Sequence, residues 1–215
     1  GMPVSWRHRV VGPAIMARFL PILFKDGIDL DITGGAESPY DIPNKRVEYV
    51  RHEAPEGMLT GNWRGVGPTR NAPAVEGGID EAAHLAGRDP VEYRRQLLGK
   101  APRLRGVLDL AAERAGWGTP LDADRGRGVA VMADFGSFAA LIAQVHVDRD
   151  GALKVERMVC AIDCGQAVNP DILRQQVESG IIYGLSAAFY GRLTIADGAV
   201  VEGNFDDSPV LRIHE

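Results

Sequence analysis

Residues 140–163, "ALIAQVHVDRDGALKVERMVCAID", decide how the rest of the chain is read. Two runs rich in apolar and β-branched residues flank the turn Asp148–Gly151, and Asp150-Gly151 is a strong hairpin signal between them. A third strand-like run, "GVAVMADF" (128–135), stands just upstream. Downstream, "NPDILRQQVESGIIYGLSAAFYG" (169–191) reads as a helix, with Asn169 or Asp171 near its cap and Pro170 in its first turn. "RLTIADGAVVEG" (192–203) repeats the hairpin logic through Asp197-Gly198.

Helices dominate before residue 120. In "DPVEYRRQLLG" (89–99) Asp89 caps, Pro90 fits the first helical position, Glu92 completes a capping-box-like pair and Gly99 ends the helix. In "RLRGVLDLAAERAGWG" (103–118) Leu104, Val107, Leu108, Ala111 and Ala115 share one face, and Gly116 or Gly118 terminates it. Val75, Ile79, Ala82, Ala83 and Ala86 recur at helical spacing until Gly87, predicting a helix that begins at Ala72. The arginines between Arg94 and Arg105 read as solvated surface flanking helix ends. From Met2 to about Glu53 the pattern is irregular, with one weak strand over 47–51. This mixed order predicts an α+β fold, helices packed on mainly antiparallel sheets. "GTPLDADRGRG" (118–128) is the best candidate boundary, dividing 1–120 from 121–215.

At 215 residues and 45% hydrophobic the chain can bury a sizeable core, as a soluble globular protein does. A net charge of −5 gives no general field for nucleic acid or an anionic membrane, so any anion site is local. No apolar run is long enough to span a bilayer, and "GMPVSWRHRVV" lacks the h-region of a signal peptide. Gly1 before Met2 looks like a tag remnant, which suggests an excised piece of something longer. Cys160 and Cys164 make neither a disulfide framework nor a zinc site, and His8, His52, His84, His146 and His214 are scattered. No metal ligands are predicted. Nucleophile elbow, zincin, Walker and dinucleotide-binding signatures are all absent from the sequence.

Two segments remain as carriers of chemistry. In "NWRGVGPTRN" (62–71) Gly65 and Gly67 permit close backbone approach or positive φ, and Arg64 offers a planar fork for an oxyanion ahead of a helix N-terminus. Most such loops are plain turns. In "AIDCGQAVNPDILRQQVESGIIYGL" (161–185) an apolar strand turns through Asn169-Pro170 into a helix whose Gly180 and Gly184 share a face. By itself this is a packed strand-turn-helix.

Together, "NWRGVGPTRNAPAVEGGIDEAAHLAGRDPVEYRRQLL" and "MVCAIDCGQAVNPDILRQQVESGIIYGLSAAFYG" resemble the molybdenum-binding large subunit of the xanthine dehydrogenase/aldehyde oxidase family, nearest to the isoquinoline 1-oxidoreductase β-subunit type. "WRHRVVGPAI", "SPYDIPNKRVEYVR" and "NFDDSPVLRIHE" extend the resemblance over nearly the whole chain. It implies the molybdopterin-binding fold of that family, with 1–120 as the arginine-loop and helical part and 121–215 as the strand-helix-hairpin part. It implies hydroxylation of an N-heterocycle or aldehyde with water as oxygen source. The metal would be held by molybdopterin, in its cytosine dinucleotide form, and electrons would leave through an iron–sulfur small subunit. Carried over by position, Arg64 is catalytic. Gly65, Val66 and Gly67 wall the cofactor, and Gly136, Ser137 and Phe138 border the funnel to it.

The resemblance also implies a glutamate base in a Gly-Glu motif downstream of "SPVLRIHE", and Glu215 stands in the wrong context to replace it. The isolated chain is therefore expected to be inactive and without cofactor. Its apolar flank is expected to be covered by the remainder of the large subunit or by a second copy. The alternative expectation is a non-catalytic binding or assembly domain of the same fold. Localisation is left open.

Overall fold

The structure, a computed structural model, describes residues 1–212. Glu215, His214 and the end of "NFDDSPVLRIHE" lie outside the described residues. The chain forms two compact units, Gly1–Cys164 and a second beginning at Gly165.

In the first unit the elements run β1 (Ser5–Gly12), α1 (Ile15–Phe19), β2 (Phe24–Lys25), β3 (Ile28–Asp29), α2 (Leu30–Thr33), β4 (Asn44–Arg51), α3 (Val66–Leu85), α4 (Pro90–Leu97), α5 (Pro102–Ala115), β5 (Arg125–Asp134), β6 (Ser137–Val147) and β7 (Leu153–Asp163). β5, β6 and β7 form an antiparallel meander. The β6–β7 turn closes as the Asp150-Gly151 signal predicts, with Gly151 at φ 84 and the Asp148 carboxylate accepting from the Asp150 and Ala152 amides. Val129, Val131, Ala140, Ile142 and Ala161 are the sheet residues buried against the helices.

α5 packs on β6 and β7, burying Leu104, Val107, Leu108, Ala111, Ala112 and Ala115, and Gly116 ends it in the left-handed conformation. In α4, Asp89 Oδ1 caps the Val91 and Glu92 amides at 2.9 and 3.0 Å. The reciprocal half of that capping box does not form, because the Glu92 carboxylate pairs with Arg95 instead. One core joins α3, α4, α5 and the meander, so packing runs straight through the expected boundary at 120/121.

Two further features depart from expectation. α3 begins at Val66 rather than Ala72: Pro68 sits in the first turn, where its missing N–H has no intrahelical partner to lose. Residues 5–12, read as irregular, form a strand that pairs in parallel with β4, so the sheets are not uniformly antiparallel. The inward positions there are Trp6, His8 and Val10, and only one of the three is plainly apolar. Outward, Arg7, Arg9 and Arg46 converge on Glu48 at 2.8, 2.9 and 2.7 Å, and Arg7 leads in holding its carboxyl below the usual range. A second, smaller core gathers Val10, Ile15, Met16, Ile32 and Ala36.

The second unit holds α6 (Pro170–Tyr190) and the hairpin β8 (Ile195–Ala196) and β9 (Ala199–Val200). Asn169 Oδ1 caps α6 through the Asp171 and Ile172 amides, both at 3.1 Å. Asp197 and Gly198 turn the hairpin at φ 50 and 77. No residue of α6 is buried. Among the described residues no helix is long and apolar enough to cross a membrane.

Candidate functional site

The Arg64 turn is fixed by an unusual backbone. Gly65 caps α3 at φ 87 and ψ −5, and Val66 follows at φ 53. A β-branched residue at positive φ costs about 1–3 kcal/mol and persists only where its surroundings over-determine it. Those surroundings are visible: the Val66 amide donates to Trp63 O at 2.9 Å, and the Thr69 hydroxyl donates to Arg64 O at 2.7 Å. A Cβ on Gly65 would lie 2.2 Å from Thr69 Oγ1, and one on Gly67 would lie 2.2 Å from Asp31 O. The chain itself thus fills the space that both glycines leave. The product is a constrained turn with Arg64 exposed.

Gly136, Ser137 and Phe138 occupy the β5–β6 hairpin. Phe135 and Gly136 are its two turn residues, at φ 49 and 74, and Ser137 and Phe138 open β6. Nothing lies within 4 Å of the Cβ position of Gly136. Phe138 pairs in register with Asp163, and the Arg103 guanidinium sits 4.4 Å over the Phe138 ring. Arg103 also donates from Nε and Nη2 to the Asp163 carboxylate, both at 2.7 Å, and this partner raises its pKa. The sheet and α5 therefore bring Phe138, Asp163 and Arg103 together. Reading the arginines of this region as plain surface concealed that role; the signal was Arg103 following Pro102 at the start of α5, opposite the strand ends.

The two residue groups flank one cleft without lining it. The cleft, about 630 Å³, is walled by Ile28, Leu30, Val47 and Tyr49 among others, and by Gly34-Gly35 and Ala133-Asp134. Pro68 of the Arg64 turn backs the glycine wall, 3.1 Å from a Cβ on Gly34, and the Gly136 turn continues from Asp134. The cleft lining contains Glu37 and Asp134 but no Lys or Arg.

Arg94 overturns the solvated-surface expectation most clearly, since it is fully buried. Its Nε donates to Glu76 Oε2 at 3.1 Å and its Nη1 to Asp80 Oδ1 at 2.5 Å. Tyr40 and the Val131 amide donate to the same Glu76 carboxylate at 2.9 and 2.8 Å. Burial pushes the Glu76 carboxyl up and the Tyr40 hydroxyl far up. Glu76 and Asp80 each follow a buried apolar residue of α3, Val75 and Ile79, and charge on a buried stripe was the available signal. The network joins α3, α4 and β5 to the loop that carries Tyr40 and is structural. Cys160 and Cys164 are free thiols, and burial raises the Cys160 pKa. Among the described residues no group of three or more His, Cys, Asp or Glu stands ready to hold a metal ion.

The sequence model described as molybdopterin cofactor-binding domain matches residues 95–215. The chain is 32% identical to the beta subunit of isoquinoline 1-oxidoreductase from Brevundimonas diminuta, over 99% of its own length and 28% of the relative's. It is 31% identical to a membrane-bound aldehyde dehydrogenase (pyrroloquinoline-quinone) of Gluconacetobacter polyoxogenes, over 97% of its length and 29% of the relative's. To a nicotinate dehydrogenase subunit of Pseudomonas putida it is 33% identical, over 91% of its length and 17% of the relative's. The chain thus spans less than a third of the curated relatives it matches.

Proposed function

The chain belongs to the molybdopterin cofactor-binding domain family, and on that premise we propose that it is a portion of a molybdenum hydroxylase large subunit. The whole enzyme would oxidise an N-heterocycle or an aldehyde, taking the oxygen from water. When bound, the molybdenum that molybdopterin holds would supply the two-electron acceptor. The aldehyde dehydrogenase relative names a different cofactor, so the molybdopterin reading rests on the family.

The observation that carries the reading is Arg64, exposed at the head of α3 on a turn that tolerates positive φ at Val66. A guanidinium carried on a turn of fixed backbone suits an oxygen-rich anionic group, because its planar fork matches two acceptor oxygens at once. Gly65 and Gly67 contribute by setting the path of the turn; Gly65 and Val66 would face the cofactor through main chain only, whereas Gly67 is buried against Asp31 O. Gly136, with open space beside it, admits a close neighbour, and Ser137 and Phe138 would border the approach. Arg103 holds Phe138 from behind.

On the same reading the cofactor is the cytosine dinucleotide form, and an iron–sulfur small subunit and the remainder of the large subunit are the partners. The isolated chain would be inactive and would carry no cofactor. A second reading, a non-catalytic assembly domain, is favoured by α6, an apolar helix with no buried residue. One experiment separates the two. The full-length subunit assembled with its partner is supplied with ¹⁸O-labelled water and with isoquinoline, whose reacting carbon carries no exchangeable oxygen. The proposal predicts one labelled oxygen in the product and molybdenum in the protein. Unlabelled product would overturn water as the oxygen source, and a metal-free assembly without turnover would support the assembly domain.

A further inference from the structure

The placement of Arg64 depends on the element beneath its turn. That element is α2, only four residues long and too short to hold its position alone. Its first turn is anchored by the fully buried Asp29, whose Oδ1 accepts from the Asp31 and Ile32 amides at 3.0 and 3.1 Å. Asp29 Oδ2 accepts from the Met16 amide at 2.8 Å. The other end of α2 is held from α3. Asn71, 3% exposed, donates from Nδ2 to Ile32 O at 2.9 Å and to Gly34 O at 2.8 Å. Carbonyls at a helix C-terminus lack intrahelical donors, so these two bonds satisfy acceptors that would otherwise be left wanting. Gly67, with no Cβ, lets α3 lie directly on Asp31 O. Before Arg64, Asn62 Nδ2 donates to Asp31 Oδ2 at 3.2 Å. The turn is therefore tied to α2 on both sides of Arg64.

We propose that Asn71 is a positioning residue for Arg64, with Asn62 as a lesser second tether; its catalytic meaning rests on the role proposed above for Arg64. Asn71 acts through the turn. An amide donor is required because both partners are carbonyl oxygens, and neither alanine nor an ionised aspartate can donate to them.

Two measurements test this. On the 215-residue chain, limited trypsin digestion reads the order of the turn directly, with cleavage after the exposed Arg192 as internal reference. N71A is expected to raise cleavage after Arg64 about tenfold and N62A about threefold, since local opening exposes the bond. Should N71A unfold the chain throughout, N62A alone decides. Unchanged cleavage at Arg64 in a folded variant would overturn the tether. In the assembled full-length enzyme, N71A is expected to lower kcat about tenfold with KM within about twofold, and N71A/R64A to be no slower than R64A. Independent multiplication of the two losses would overturn the positioning role while leaving Arg64 in place. An R64A enzyme as fast as the parent would instead remove the proposed function of Arg64, and the digestion result would then stand by itself.

Discussion

α5 and α6 are both long helices that begin with proline, yet they end in opposite states. α5 buries six residues against the meander and its neighbours, whereas α6, seven residues longer, buries none. The difference lies in how apolar residues are distributed. α5 carries one apolar stripe with arginines and acids opposite, which this chain can cover. α6 carries Ile172, Val177, Ile181, Ile182, Leu185 and Phe189 on several sides, the composition of a helix enclosed by other elements. Its Gly180 and Gly184 have nothing within 4 Å of their Cβ positions. Burial therefore follows from one continuous apolar stripe and not from apolar content or helix length.

The largest break in the comparison should come at Arg94. Removing it leaves the Glu76 carboxylate buried without its cation, and R94A is expected to destabilise the first unit by about 3–5 kcal/mol in chemical denaturation. Next comes truncation of the helices themselves. L108A, at a fully buried position, is expected to lose about 2–5 kcal/mol, while I182A, at 51% exposure, should change stability by less than about 0.5 kcal/mol. Equal losses would erase the distinction between α5 and α6.

Glycines sharpen the same contrast with smaller effects. G67A places a Cβ 2.2 Å from Asp31 O and is expected to destabilise by about 1–3 kcal/mol. G180A meets open space and should stabilise α6 by about 0.5–1 kcal/mol through helix propensity, seen as increased helicity by circular dichroism. The smallest effect is a pH dependence of the second unit. The Thr194 amide holds the Glu202 carboxyl below its usual range, and the Gly203 and Asn204 amides do the same for Asp207. A depressed carboxyl contributes stability that is complete above its unfolded pKa and lost as pH falls through the folded value. The amide resonances of Thr194, Gly203 and Asn204 should therefore titrate with midpoints below the ordinary carboxylate range.

Local chemistry made much of this fold legible. Asp89-Pro90, Asn169-Pro170 and the Asp-Gly turns each state their structure within four residues, and each forms as expected. The parallel pairing of β1 with β4 was not legible, because it joins residues about 39 positions apart and its inward face includes a histidine and a half-covered tryptophan. The first turn of α3 was not legible either, because Val66 to Asn71 lie ahead of the apolar repeat that marks the helix, and Pro68 is harmless in a first turn. The Arg64 turn could be singled out by its residues. Its tether to α2 could not, since nothing in "NAPAVEGG" distinguishes a buried Asn71 from an exposed one.

The central claim is that Arg64 faces the reacting centre of a molybdenum hydroxylase. Its most direct test is the single-turnover rate of the assembled full-length enzyme carrying R64A, measured at saturating substrate with cofactor content matched to the parent. A lost fork contact to developing charge is worth about 2–4 kcal/mol, so the rate should fall on the order of 100-fold with cofactor retained. A cofactor-loaded R64A enzyme that turns over at the parental rate would contradict it.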